Sequence, residues 1–209
     1  MAIIEKAPAK INLGLDIIGK RPDGYHDLSM IMVSVDLNDY IMVSEIDGSE
    51  IVVESDNHKM PLNGKNDVFK AAKLIREACQ IDSGVKIELK KSIPICAGLG
   101  GVSTRTVFPE IDCKTISRVD IASLREAVLA KDYEKMIAYM GNSLEDITIK
   151  RKPFIQKIKD RMMSCGADVA LMTGSGPTVY ALCRSEKKAD RLVNSMRGFC
   201  KEVYKVRIL

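Results

Sequence analysis

Residues 85–101 constrain the chain more tightly than any other stretch. Val85-Lys-Ile-Glu-Leu-Lys90 alternates, so Val85, Ile87 and Leu89 share one face of an extended strand. Pro94-Ile-Cys-Ala-Gly-Leu-Gly-Gly101 follows, with three glycines in four positions. A backbone so bare of side chains lets consecutive N–H groups curl around an anion, phosphate above all. A helix normally takes over, adding its N-terminal N–H groups and dipole. Here Val102-Ser-Thr-Arg-Thr-Val-Phe-Pro109 is rich in β-branched residues and ends in proline, so no useful helix is expected. The stretch alone leaves two readings open, an anion nest or an ordinary turn after a strand.

A chain of 209 residues makes one large or two small domains with real cores. A net charge of +4 suits a small anionic ligand and is too weak and dispersed for nucleic acid. Aromatics are 5% with no Trp, which speaks against a base-stacking platform. Cys79, Cys96, Cys113, Cys165, Cys183 and Cys200 are well separated, and only two histidines are present, so no metal ligands are assigned. No signal peptide or membrane-length apolar run is visible, and reduced thiols in the cytoplasm are expected.

Ala2–Lys6 reads as a short start broken by Ala7-Pro-Ala-Lys10. Ile11–Ile18 alternates as a strand, with Ile11, Leu13, Leu15 and Ile17 on one face. Lys10, Asn12, Gly14 and Asp16 share the other, either as a solvated face or as a strand end projecting Lys10 and Asn12 together. Gly19-Lys-Arg-Pro-Asp-Gly24 is a turn leading into Tyr25-His26. Met30–Asp36, Tyr40–Glu45 and Glu50–Ser55 read as an antiparallel meander, turning at Asn38-Asp39 and Asp47-Gly48-Ser49. Asn66-Asp67 caps a helix to about Gln80, with Val68, Ala71, Ala72, Ile75 and Ala78 on its buried side.

Beyond Pro109, Asp120 caps a helix Ile121–Ala130, Tyr133–Asn142 continues helical, and Pro153 starts a helix to about Ser164. Val169–Thr173 and Thr178–Cys183 are strands around Gly174-Ser-Gly-Pro177. Ser185 caps a helix Glu186–Met196, and Lys201–Ile208 is a final strand. Gly174-Ser175-Gly176 is either a second backbone nest or a tight turn. Two anion-friendly loops with Lys10 and a basic turn favour a phosphorylated ligand.

These residues support a resemblance. Pro8-Ala-Lys-Ile-Asn-Leu-Gly-Leu15 with Arg21-Pro-Asp-Gly-Tyr-His-Asp-Leu28 resembles the first motif of the 4-diphosphocytidyl-2-C-methyl-D-erythritol kinase family. Pro94–Gly101 resembles the start of its second motif, and Leu171-Met-Thr-Gly-Ser-Gly-Pro-Thr-Val179 its third. The family lies in the galactokinase, homoserine, mevalonate and phosphomevalonate kinase superfamily. The resemblance implies an α+β two-domain fold: a ribosomal-protein-S5-like N-terminal domain, shortened here to residues 1–101, and a ferredoxin-like domain over 113–209. Residues 102–112 would form an interdomain segment. It implies ATP-dependent phosphorylation of a hydroxyl on a cytidine-diphosphate-linked sugar alcohol in non-mevalonate isoprenoid biosynthesis.

Residue by residue, Lys10 matches the catalytic lysine near the acceptor hydroxyl. Asn12 and His26 would bond the substrate, His26 reading the cytosine edge and Tyr25 stacking on the ring. Phe108 would be the second stacking partner and Thr104 a nearby polar contact. Pro94, Ile95, Cys96, Ala97, Gly98, Leu99, Gly100 and Gly101 would cradle ATP phosphates, with Asn66 on the adenine side. Gly174, Ser175 and Gly176 would border the sugar-alcohol end. Mg is implied as the counter-ion of ATP.

The family's loop continues into Gly-Ser-Ser-Asp-Ala and a helix, and later into a segment carrying the catalytic aspartate. Here Gly101 runs directly into Val102-Ser-Thr. The lost part would hold the phosphate-receiving helix, the serine near magnesium and the aspartate. Gly166-Ala-Asp-Val169 imitates that segment but runs straight into the third motif, so it is not its equivalent. Asp16 and Asp168 are the candidates for a substitute base. Three readings follow: a shortened kinase, a non-catalytic module binding a cytidine diphosphate compound, or a structural remnant. In the last, a homodimer would cover apolar sheet surface left bare by the lost helix layer.

Overall fold

The computed structural model describes residues 2–95, 97–99 and 116–209. It packs as two compact units, Met1–Ala9 with Asp36–Pro94 and Lys10–Val35 with Ile95–Leu209. Two long strands, β1 (Ala2–Lys20) and β2 (His26–Ile46), contribute to both. The expected segment at 102–112 falls outside the described residues.

In the first unit, β3 (Ile51–Ser55) pairs parallel with β4 (Gly84–Lys90), and β4 pairs antiparallel with β2 from Tyr40 to Ile46. The parallel pair needs a crossover, supplied by α1 (Asp67–Cys79). The expected meander is therefore wrong. Asn38-Asp39 does not turn: β2 runs straight through it. The Asp39 carboxylate instead accepts from the N–H groups of Ser92 (2.8 Å) and Ile93 (2.9 Å) and pairs with Lys91. Ala7-Pro-Ala-Lys10 does not break β1 either. The strand runs through Pro8 without interruption. Asn66 caps α1 as expected, its Oδ1 accepting from Val68 N at 2.8 Å. Val53, Ile87 and Leu89 form the core, with Val68, Phe69 and Ala72 of α1 against them. No residue of α1 is fully buried, and Ile75, expected inside, is 59% exposed.

In the second unit, β1 pairs parallel with the short β5 (Gly141–Asn142), Gly14 opposite Gly141 and Leu15 opposite Asn142. The Asp120-capped α2 (Ile121–Leu129) and α3 (Tyr133–Tyr139) precede β5, and α4 (Glu145–Arg151) and α5 (Phe154–Ser164) follow it. Helix was expected to run through Asn142; it ends at Tyr139 and the chain becomes strand. The Val169–Thr173 and Thr178–Cys183 strands form as the antiparallel pair β6 (Val169–Met172) and β7 (Val179–Leu182). Ser185 caps α6 (Glu186–Arg197). Leu15, Ile17, Leu144, Ile155 and Met172 pack into one core.

The final strand expected over Lys201–Ile208 is replaced by a single bridge, Val35 to Ile208. Lys205 reaches Glu186 (3.1 Å) and Asp190 (2.7 Å) on α6, so its charged residues follow that helix and not a ladder. The supposed solvated face of β1 is also corrected: Asn12 and Asp16 are as buried as the apolar residues between them.

Candidate active site

The second unit brings parts of all three sequence motifs into contact. From the second motif, the described residues are Pro94, Ile95, Ala97, Gly98 and Leu99. The Lys10 N–H donates to the Leu99 carbonyl at 3.1 Å, seating the start of the β1 site segment against the glycine loop. Gly98 has φ +76, and a Cβ there would stand 2.8 Å from the Thr173 carbonyl oxygen. Only glycine allows this approach in this conformation. Gly174, at φ +57, meets the other side: a Cβ on it would lie 3.1 Å from the Gly98 carbonyl oxygen and 3.6 Å from Lys10 Nζ.

Lys10 Nζ donates to Asn12 Oδ1 at 2.7 Å. Asn12 is 1% exposed, and its N–H donates to Thr173 Oγ1 at 3.1 Å. Thr173 Oγ1 in turn donates to Asn12 Oδ1 at 3.3 Å, and Tyr180 Oη to the Asn12 carbonyl at 2.7 Å. Burial pushes the Lys10 ammonium below its ordinary pKa of 10.5. The lysine is thus aimed, partly desolvated and more ready to release a proton than a surface lysine. Gly176 closes the turn with its N–H on the Thr173 carbonyl at 3.0 Å, and Ser175 lies between the two glycines.

In the same unit Tyr25 immediately precedes β2, and His26 opens it. The turn before them is built locally: Arg21 N–H to the Tyr25 carbonyl at 2.7 Å, Gly24 N–H to the Arg21 carbonyl at 3.0 Å, Tyr25 N–H to Asp23 Oδ1 at 3.0 Å. Tyr25 is 56% exposed. Burial, then the charge of Lys20, lowers the His26 pKa below 6.5, so its imidazole is neutral at pH 7.

Other expected residues lie elsewhere. Asn66 and Pro94 belong to the first unit, where the Asn66 side chain bonds Val68 N and the Pro61 carbonyl (2.7 Å). Cys96, Gly100, Gly101, Thr104 and Phe108 lie outside the described residues. The two candidate bases are committed. Asp16 accepts from Arg118 Nη2 at 2.6 Å, Ser143 Oγ at 2.8 Å and Val119 N–H at 3.2 Å. Burial alone would raise its pKa, and these donors more than offset it, leaving the carboxylate below its ordinary value. Asp168 accepts from Tyr133 Oη at 2.9 Å and Arg184 N–H at 2.6 Å and pairs with Lys188, again with a lowered pKa. Neither is a ready proton acceptor. Among the described residues no three His, Cys, Asp or Glu side chains gather into a metal site.

Sequence reasoning missed Asn142, at the corner where β5 gives way to α4. Its Nδ2 donates to the Met172 (2.7 Å) and Gly174 (2.8 Å) carbonyls. The helical pattern before it masked the strand, and a two-residue strand has no periodicity of its own.

Residues 124–202 match the C-terminal domain of GHMP kinases. A protein of Streptococcus mutans, provisionally named 4-diphosphocytidyl-2-C-methyl-D-erythritol kinase, is 52% identical over 282 residues, covering 100% of both chains. One of Streptococcus uberis with the same provisional name is 47% identical with the same coverage. Both chains are matched end to end, so 282 aligned positions against 209 residues leave 73 positions of the relative with no counterpart, all internal. Among solved structures, a 4-(cytidine 5'-diphospho)-2C-methyl-D-erythritol kinase shares the fold with a TM-score of 0.70 at 22% identity, covering 94% of this chain and 96% of that one. A homoserine kinase from Cytophaga hutchinsonii follows at TM-score 0.65 and 17% identity, covering 94% and 90%. This α+β chain therefore belongs to the 4-diphosphocytidyl-2-C-methyl-D-erythritol kinase family of small-molecule kinases.

Proposed function

We propose that the chain transfers a phosphoryl group from ATP to the sugar-alcohol hydroxyl of 4-diphosphocytidyl-2-C-methyl-D-erythritol, at a rate far below that of its full-length relatives. The observation that carries this reading is the meeting of Lys10, Gly98 and Gly174. Lys10 offsets negative charge on the transferring group and, with its lowered pKa, exchanges a proton with the acceptor oxygen. Asn12 holds the lysine in place and faces the same acceptor. Tyr25 offers an exposed ring to the cytosine, and neutral His26 reads its edge. Gly174, Ser175 and Gly176 border the sugar-alcohol end. Gly98 and its neighbours take ATP phosphates; contacts of Asn66 with adenine and of Phe108 and Thr104 with cytidine are what the family resemblance implies.

The slow rate follows from what the chain lacks. The resemblance puts the 73 unmatched positions after Gly101, where the family would carry its receiving helix and catalytic aspartate. Positioning and electrostatics supply most phosphoryl-transfer catalysis. Asp16 and Asp168, each bound by several donors, are poor substitutes. That same observation favours a second reading, a module that binds the cytidine end without turnover. A coupled ATP-turnover assay separates the two. Product that disappears in Lys10→Ala supports the kinase; cytidine diphosphate binding with no product supports the module; neither result refutes both.

A further inference from the structure

We infer that Asn142 is a positioning residue: it aims the Gly174-Ser175 peptide so that the Ser175 N–H faces the ligand. This rests on the proposed placing of the sugar-alcohol end at the Gly174 turn. Asn142 Nδ2 donates to the Gly174 carbonyl at 2.8 Å and to the Met172 carbonyl at 2.7 Å. A trans peptide is planar, with its carbonyl and N–H pointing opposite ways. Holding the Gly174 carbonyl toward Asn142 therefore holds the Ser175 N–H away from it, fixed as a donor. Gly174 at φ +57 has no side chain to restrain it, so this peptide would otherwise rotate among several conformations.

The anchor itself is rigid. Asn142 is buried, and its Oδ1 accepts from Leu144 N–H at 3.0 Å, so all its polar atoms have partners and the amide orientation is set. Glu145, three residues on, takes the Met172 N–H at 2.7 Å on one oxygen and pairs with Lys159 through the other. The β5–α4 corner thus grips both ends of the Met172 residue and the carbonyl of Gly174. A Cβ on the same glycine would stand 3.6 Å from Lys10 Nζ.

The test uses two ligands. Cytidine diphosphate lacks the sugar alcohol; 4-diphosphocytidyl-2-C-methyl-D-erythritol carries it. Calorimetric titration of Asn142→Ala should show about a tenfold loss for the full substrate, the scale of one buried hydrogen bond, and no loss for cytidine diphosphate. Asn142→Asp keeps the acceptor for Leu144 N–H and loses both donations. It should lose affinity for the full substrate as Asn142→Ala does; recovery by Asp would mean that Asn142 merely caps the corner and would overturn the inference. Equal losses for both ligands would overturn it too. If the wild-type chain binds neither ligand, the functional reading fails by itself. The inference is then read from the Lys10 Nζ titration by NMR, assigned with Lys10→Arg. A Lys10 pKa raised toward 10.5 in Asn142→Ala supports it, because the loosened turn admits water; an unchanged pKa overturns it.

Discussion

Asn12 lies among apolar neighbours, and its Oδ1 accepts from both Lys10 Nζ and Thr173 Oγ1, which fixes where the Lys10 ammonium points. Lys10→Ala should lower turnover by on the order of a hundredfold or more, while leaving cytidine diphosphate affinity within about twofold. His26 gives a pH signature. Its folded pKa is lowered, so the fold favours neutral imidazole, and protonation is resisted until the pH falls below 6.5. Cytidine diphosphate affinity should stay flat from pH 8 to 6.5 and fall only below that, a break that His26→Gln removes. Asp16 supplies a stability signature. Its folded pKa is below the ordinary 3.8, so its contribution is complete above that value and fades as the pH drops through the folded one. Asp16→Asn should cost about 2 kcal/mol at pH 7, by loss of charge-assisted hydrogen bonds, and the gap from wild type should narrow in acid denaturation below pH 3.8. None of this polar burial is legible in the alternation of Ile11–Ile18. Alternation says which residues share a face, and the partners that bury it come from more than a hundred residues away.

Helix starts were legible because capping is local. Asn66, Asp120 and Ser185 each accept from an N–H within the next three residues. Turns that depend on distant partners were not legible. Asn38-Asp39 has turn chemistry, yet Asp39 spends its carboxylate on residues 52 to 54 further on, and the strand continues. The contact between the glycine loop and the Gly174 turn is the element-level feature that the site depends on. Gly98→Ala would force a Cβ to 2.8 Å from the Thr173 carbonyl at a φ of +76. The loop must then lift off the turn, and both melting temperature and turnover should fall. Gly19→Ala, with open space around it and a negative or extended φ, should change neither. In α1, Ile75→Ala should cost under about 0.5 kcal/mol in urea unfolding, against about 3 kcal/mol for Ile87→Ala in the core.

At the scale of the whole chain, family membership was legible in three short motifs. The compact units were not legible. The sequence places Lys10 and Asn12 near its start, but packing groups residues 10–35 with Ile95–Leu209, because β1 and β2 are long enough to serve two cores. The proposed function divides the site: acceptor-side residues are among those this chain keeps, and the family's catalytic aspartate would fall in a stretch it lacks. Phosphorus NMR of the 209-residue chain with ATP and 4-diphosphocytidyl-2-C-methyl-D-erythritol tests that division most directly. A new phosphomonoester signal should grow slowly, in step with loss of ATP, and be absent from Lys10→Ala. No signal from the wild-type chain, or the same signal from Lys10→Ala, would contradict it.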